Sequence, residues 1–153
     1  MTDIRIRVDS DDADRDLARL ALFLTDLRSF WPKVVPLFVG WMRQQFETEG
    51  SFGSGGWAPL AFSTVDRKAR LGLRPQILQA TGAMKQAASR PSRRATAKSL
   101  TLQIDDPKLQ HHQSGTASMP ARPLIFERLP LQAEHELGEA AEDYVRDLLR
   151  RLT

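Results

Sequence analysis

Apolar residues recur along this chain at two periods, and the switches between them mark its elements. Ile4, Ile6 and Val8 alternate with polar and charged neighbours and predict a short opening strand. Leu17, Leu20, Ala21, Leu24 and Leu27 then fall at helical spacing behind Asp11 or Asp12, acids that cap a first turn and complement the helix dipole. The Trp31-Pro32 step breaks that run. Val34, Val35, Phe38, Trp41, Met42 and Phe46 predict a second helix to about Glu49, with Pro32 and Pro36 tolerated in or before its first turn. Residues 1–49 therefore read as a strand followed by a helical hairpin. Glycines 50, 53, 55 and 56, with Pro59 behind them, make the next stretch a loop anchored by Trp57. Thr64 caps a helical turn through Arg70, and Pro75 opens a segment whose Ile77, Leu78, Ala80 and Met84 predict a further helix, bent or interrupted at Gly82. Leu100, Leu102 and Ile104 alternate with polar neighbours as a strand does, Asp105-Asp106-Pro107 ends it, and a partner strand is expected through Leu109 towards His112. The last element is the clearest. Leu131, Leu137, Ala141, Tyr144, Val145, Leu148 and Leu152 line one helix face, with Glu134, Glu136 and Glu139 early and Arg146, Arg150 and Arg151 late. Gly138 inside it costs about 1 kcal/mol relative to alanine. The pattern predicts an α+β fold: an N-terminal helical hairpin, a small antiparallel sheet with a crossing helix, and a C-terminal amphipathic helix. At 153 residues this is one domain, divided into parts 1–49, 50–130 and 131–153.

Composition narrows the class. With 41% apolar and 27% charged residues the chain is of ordinary globular type. It has no cysteine, which excludes a disulfide framework and thiol chemistry and fits a reducing cytoplasm. Residues 1–9 lack the apolar core of a secretion signal, and the most apolar run, Phe30 to Trp41, is too short to span a bilayer and contains Pro32, Lys33 and Pro36. The net charge of +3 hides an uneven distribution: residues 50–98 carry nine bases against the single acid Asp66, whereas both flanking thirds are acidic in balance. A basic middle third suits nucleic acid, an acidic neighbouring subunit, or a solvated face. Within it, residues 90–98 show no apolar periodicity and read as an exposed, mobile loop, with Arg90, Arg93, Arg94 and Lys98 as candidate contacts to DNA or to a partner.

The inventory for catalysis is thin. There is no cysteine nucleophile, no Gly-x-Ser-x-Gly elbow and no carboxylate pair whose spacing suggests a shared cleft. His111 and His112 are adjacent, and on the expected strand they point to opposite faces, so they cannot share an ion. His135, with Glu136 and Glu139 nearby, has none of the spacings of a zinc site. The glycine loop has neither the preceding strand nor the following Gly-Lys-Ser/Thr of a phosphate loop. No metal, cofactor or catalytic residue is expected.

Two short elements are more specific. His112-Gln113-Ser114-Gly115 is followed by Met119-Pro120-Ala121-Arg122-Pro123, in which two prolines fix φ and hold Arg122 on a stiff extended segment that presents its side chain. Such a segment loses little entropy on binding, which makes Met119, Pro120, Ala121, Arg122 and Pro123 a candidate subunit interface; alternatively the prolines end a strand and aim the chain into the last helix. Taken in order with Trp57-Ala58-Pro59-Leu60, the residues from Thr64 to Lys68, and the run from Ile77 through Gly82 to Met84, these elements resemble the phage virion morphogenesis family, the tail-completion and head-tail joining proteins of tailed phages. The resemblance spans roughly residues 40 to 145 and rests on Trp57, Gly82, His112, Gln113 and Gly115 together with the Pro-Ala-Arg-Pro element. The chain departs from the family pattern at Lys108-Leu109, where a Tyr-Ala pair is usual, and at Ala87-Ala88, where a Ser-Ile pair is frequent. The resemblance implies a structural, non-catalytic protein of phage or prophage assembly. Its implied partners are further copies of itself in a ring and tail-tube, neck or head-completion proteins, with DNA possible in the lumen and no membrane. It implies a location in the host cytoplasm during assembly and then at the neck or tail end of the virion. The rival from another class is a nucleic-acid-binding module using the basic segment 67–98, and an enzyme built on the histidines stands behind both.

Overall fold

A computed structural model describes residues 11–152, so the strand expected at Ile4 to Val8 lies outside the described residues. Those residues form a mixed, mostly helical α+β fold of six helices and one two-stranded antiparallel sheet. Helices α1 (Asp11–Leu24), α2 (Trp31–Glu47), α3 (Phe62–Arg70) and α4 (Ala83–Ser89) come first. Strands β1 (Ser92–Ala95) and β2 (Leu100–Gln103), α5 (Leu109–Ser114) and α6 (Leu131–Leu152) follow. A single 3-10 turn, Leu27–Ser29, links α1 to α2.

The apolar face of α2 organises the fold. Trp41, Met42 and Phe46 are buried with Trp57, Ile77, Met84, Ala88, Ile104, Leu124 and Ala133 in one core. α2 packs on α4 and on α6. α6 reaches a second, smaller core through Tyr144 and Leu148, which enclose Phe30 against Leu20, Leu27 and Val34. Two polar ties fix α6 in place: Trp41 Nε1 donates to Glu136 Oε2 at 2.7 Å, and the Tyr144 and Ser29 hydroxyls meet at 2.7 Å. The hydrogen bonds from Trp41 and, first, from Gln132 favour the charged carboxylate and hold Glu136 below the usual glutamate range.

The arrangement of the helices differs from the hairpin expected. α1 packs on α6, not along α2, and it covers only part of its own stripe: Leu20 reaches the smaller core while Leu17 and Leu24 stay exposed. Pro36 lies one turn inside α2, beyond the first turn that prolines tolerate best; the helix continues at the cost of one backbone hydrogen bond. In α6, Leu131 sits at the N-terminal end and is 85% exposed, so the buried face begins at Ala133.

Four local expectations are corrected. Residues 90–98 are not a loop. β1 pairs with β2 in the register Ser92↔Gln103 to Ala95↔Leu100, and the Thr96 hydroxyl accepts the Ser99 and Lys98 amides to close the turn. That turn is fastened to the helices, since Ala97 O accepts the Leu27 amide and Thr96 O accepts Trp31 Nε1. The expected strand through Leu109 to His112 is instead α5. Asp106 makes the turn that leads into it, its Oδ1 accepting the Lys108 amide at 2.8 Å and its carbonyl the Leu109 amide at 3.1 Å, while Lys108 occupies the cap position without a side-chain bond. Residues 75–82 are irregular because Leu78 has φ of +58° and Gly82 +80°, and the helix begins only at Ala83. Thr64 does not cap α3; Ala61 occupies the cap position and supplies no side-chain bond. Among the described residues both strands belong to one hairpin that packs chiefly strand on strand, so the helix expected to cross a sheet is not found there.

Candidate functional site

The residues that carry the sequence motifs converge on the segment 119–125, and nearly all of them serve to hold it. Thr48 caps the end of α2, and the left-handed Glu49 and Gly50 turn the chain into the glycine loop; a Cβ on Gly50 would overlap the Trp57 ring. The loop closes on itself through the Trp57 amide and Glu49 O at 2.7 Å, which seats the indole edge-on against Phe46. Trp57 Nε1, Gln45 Nε2 and the Ser54 hydroxyl then all donate to one carbonyl, Pro123 O, at 2.8, 3.1 and 3.0 Å. A proline carbonyl has no N–H of its own residue to pair in a ladder beside it, and here three side chains fix it instead.

Gln113 performs the same service one step further on. From the C-terminal end of α5 its Oε1 accepts the amides of Leu124 and Ile125 at 3.0 Å each, and its Nε2 donates to Ile125 O. Gly115 ends α5 at φ +73°, and a Cβ there would stand 2.8 Å from Ala121 N and 2.9 Å from Met119 O, both backbone atoms that cannot yield. The His112 carbonyl accepts the Arg122 amide at 2.7 Å. His112 itself is half-buried, and its Nδ1 is enclosed without a hydrogen-bond partner among the described residues. Burial first, and then the positive charge of Arg122, push its pKa below the usual histidine value. His111, its neighbour on α5, is exposed.

Arg122 does not project. It is 5% exposed, its Nε donates to Ala58 O at 2.7 Å and its Nη2 to Pro59 O at 2.9 Å, joining the proline segment to the tryptophan loop. The prolines hold its backbone stiff as expected, but the buried side chain is turned into the fold, so within Met119 to Pro123 only Pro120 and Ala121 are exposed.

Beside this locked segment lies a cleft of about 880 Å³. One side comes from Pro59 to Ala61 and from α3 with Thr64, Arg67 and Lys68, another from Leu78, Ala80, Thr81, Ala83 and Met84, and the rest from Asp106 to Lys108, His112, Ser118 to Pro120, and Arg122. Lys68 is 7% exposed and its Nζ donates to Gln76 O at 2.8 Å. Desolvation, with a further push from Arg122, lowers its pKa against the pull of the Glu49 carboxylate. Sequence reasoning missed this cleft because its cations come from three separated segments and no local spacing links them. Such a cavity, with apolar walls and a few convergent charges, can orient an anion.

The remaining expected contacts lie apart. Arg93, Arg94 and Lys98 are exposed on the β1–β2 hairpin and Arg90 just ahead of it, outside the cleft lining. Gly82 is the left-handed residue that starts α4, with the Arg74 guanidinium against it. His135 faces Glu139 at 3.3 Å on the exposed side of α6. No group of three or more metal-ligating side chains stands together among the described residues, and none of their helices is long and apolar enough to cross a membrane. Comparison with known protein families, with curated proteins and with solved structures finds no match to this chain.

Proposed function

We propose that this protein is a structural subunit of phage or prophage virion assembly, acting in tail completion or head-tail joining through subunit interfaces and without catalysis. The observation that carries this reading is the use made of the motif residues. Trp57, Gln113, Gly115 and Arg122 come from separate parts of the chain and spend their polar groups or their conformational freedom on fixing one backbone segment. A site built for reaction keeps such groups free for a substrate; one built to hold a surface in shape satisfies them internally. The uncovered part of the α1 stripe, Leu17 and Leu24, supports the same reading, since a further copy in a ring would shield it.

Light scattering on the purified chain, alone and mixed with isolated heads and tails, tests the proposal. A discrete closed oligomer, or a monomer that assembles upon the tail or head, is the expected result; a chain that stays monomeric with both present contradicts it. The nucleic-acid reading draws its support from Arg93 and Arg94, which are exposed on the hairpin. Strands send neighbouring side chains to opposite faces, and no aromatic residue stands between them to stack on a base. Binding to a DNA duplex that weakens steeply as salt rises would favour that reading instead.

A further inference from the structure

The cleft beside the proline segment has an unbalanced charge. Arg67 and Lys68 on α3, Lys108 ahead of α5, and Arg122 line it, against the single carboxylate of Asp106. No carboxylate among the described residues forms an ion pair with any of the four, and Glu49 acts on Lys68 only from a distance. Lys68 and Arg122 are nevertheless more than nine-tenths buried, each bonded only to main-chain carbonyls, which leaves further N–H donors on both. Burying two like charges that repel one another, with no carboxylate bonded to either, is costly even with Glu49 pulling on Lys68, and an anion entering from outside offsets that cost. The largest apolar side chains of the lining, Leu60, Leu78, Met84 and Met119, form its walls, with the Thr64, Thr81 and Ser118 hydroxyls among them.

We propose that this cleft binds an acidic peptide segment of a partner protein, one carboxylate side chain seated between Lys68 and Arg122 and its apolar neighbours against Leu60, Leu78, Met84 and Met119. The charge complementarity selects an anion, and the apolar walls select a peptide over a nucleic acid. A nucleic-acid surface presents its cations on an open strip and commonly adds aromatic platforms, whereas this lining has no aromatic ring beyond the His112 imidazole and its two central cations are recessed. Arg67 and Lys108, both exposed, form the rim that draws the acid in. The site does not depend on the virion reading, because any partner with an exposed acidic and apolar segment would satisfy it.

The test uses the full chain against an array of short peptides that place Asp or Glu among Leu, Ile, Val and Met, beside matched peptides carrying Asn or Gln, and others carrying Lys. The wild type is expected to retain acidic peptides about tenfold more tightly than their amide counterparts. The double variant Arg67→Glu, Lys108→Glu, whose side chains are solvent-exposed and whose melting temperature should match wild type, is expected to lose the acidic peptides and gain the lysine ones. Lys68→Met should weaken the best peptide about tenfold, read only if its melt shows it folded. The proposal is overturned if no acidic peptide is held above its amide form, or if the rim variant keeps them. It is equally overturned if a DNA duplex displaces the peptide at lower concentration than free peptide does, or if acetate or inorganic phosphate alone occupies the cleft as tightly as the best peptide.

Discussion

At the scale of single residues, Arg122 and His112 decide how the motif segment is read. Arg122 looks like a presented side chain when only its flanking prolines are considered, since prolines report on the backbone and say nothing of where the side chain turns. The structure turns it inward onto Ala58 O and Pro59 O. Hydrogen bonds from a charged donor contribute about 1.5–3 kcal/mol, and the two carbonyls would be left without this partner. Arg122→Ala is therefore expected to lower stability by about 2–3 kcal/mol in a denaturant titration; a variant with unchanged midpoint and slope would show the contacts to be unimportant. Lysine should rescue little, because a single ammonium cannot reproduce the two-pronged geometry. His112 makes a pH prediction. Its folded pKa is depressed, so the unfolded chain takes up the proton more readily; its contribution to stability is full above the unfolded value near 6.5 and is lost as pH falls below it towards the folded value. Melting temperature should thus drop between about pH 7 and pH 5 more steeply in the wild type than in His112→Gln. Parallel curves would remove His112 from the account.

At the scale of elements, what was legible followed from burial. α2 and α6 announce themselves because one face of each meets a core, and Trp57 reads as an anchor because glycines around it leave it nothing else to be. β2 was legible from its half-buried alternation, whereas its partner β1 is exposed at every position and is held only by backbone pairing, which leaves no hydrophobic trace. α5 reads as a strand in the sequence because Asp-Pro both ends strands and precedes helices, and the Asp106 side chain on the Lys108 amide closes a turn ahead of the helix. The site was legible in part. Trp57, His112, Gln113 and Gly115 gather at the proline segment while Gly82 lies apart at the start of α4, and the burial of Arg122 and the cationic cleft arise only when α3, the Leu78 segment and α5 are brought together. Gly115 tests whether the end of α5 fixes the proline segment. Its positive φ and the close Ala121 and Met119 backbone leave no room for a side chain. Gly115→Ala should cost about 2–4 kcal/mol, combining backbone strain with displacement of the segment. A loss below about 1 kcal/mol would mean that the segment moves freely.

At the scale of the whole molecule, two cores share one long helix, and the motif segment is braced between the glycine loop and α5. A molecule so organised holds a surface still, and its proposed work is to fit other proteins. That claim concerns assembly, so it is best tested on particles. Electron microscopy of lysates from the source cells after induction of the proposed phage or prophage, with the gene intact and with it deleted, measures it most directly. The account predicts complete virions with the gene, and without it heads and tails that accumulate unjoined or tails with unfinished ends, restored when the gene is supplied from a plasmid. Complete, infectious virions in the absence of the gene, or no particles at all when it is intact, would contradict it.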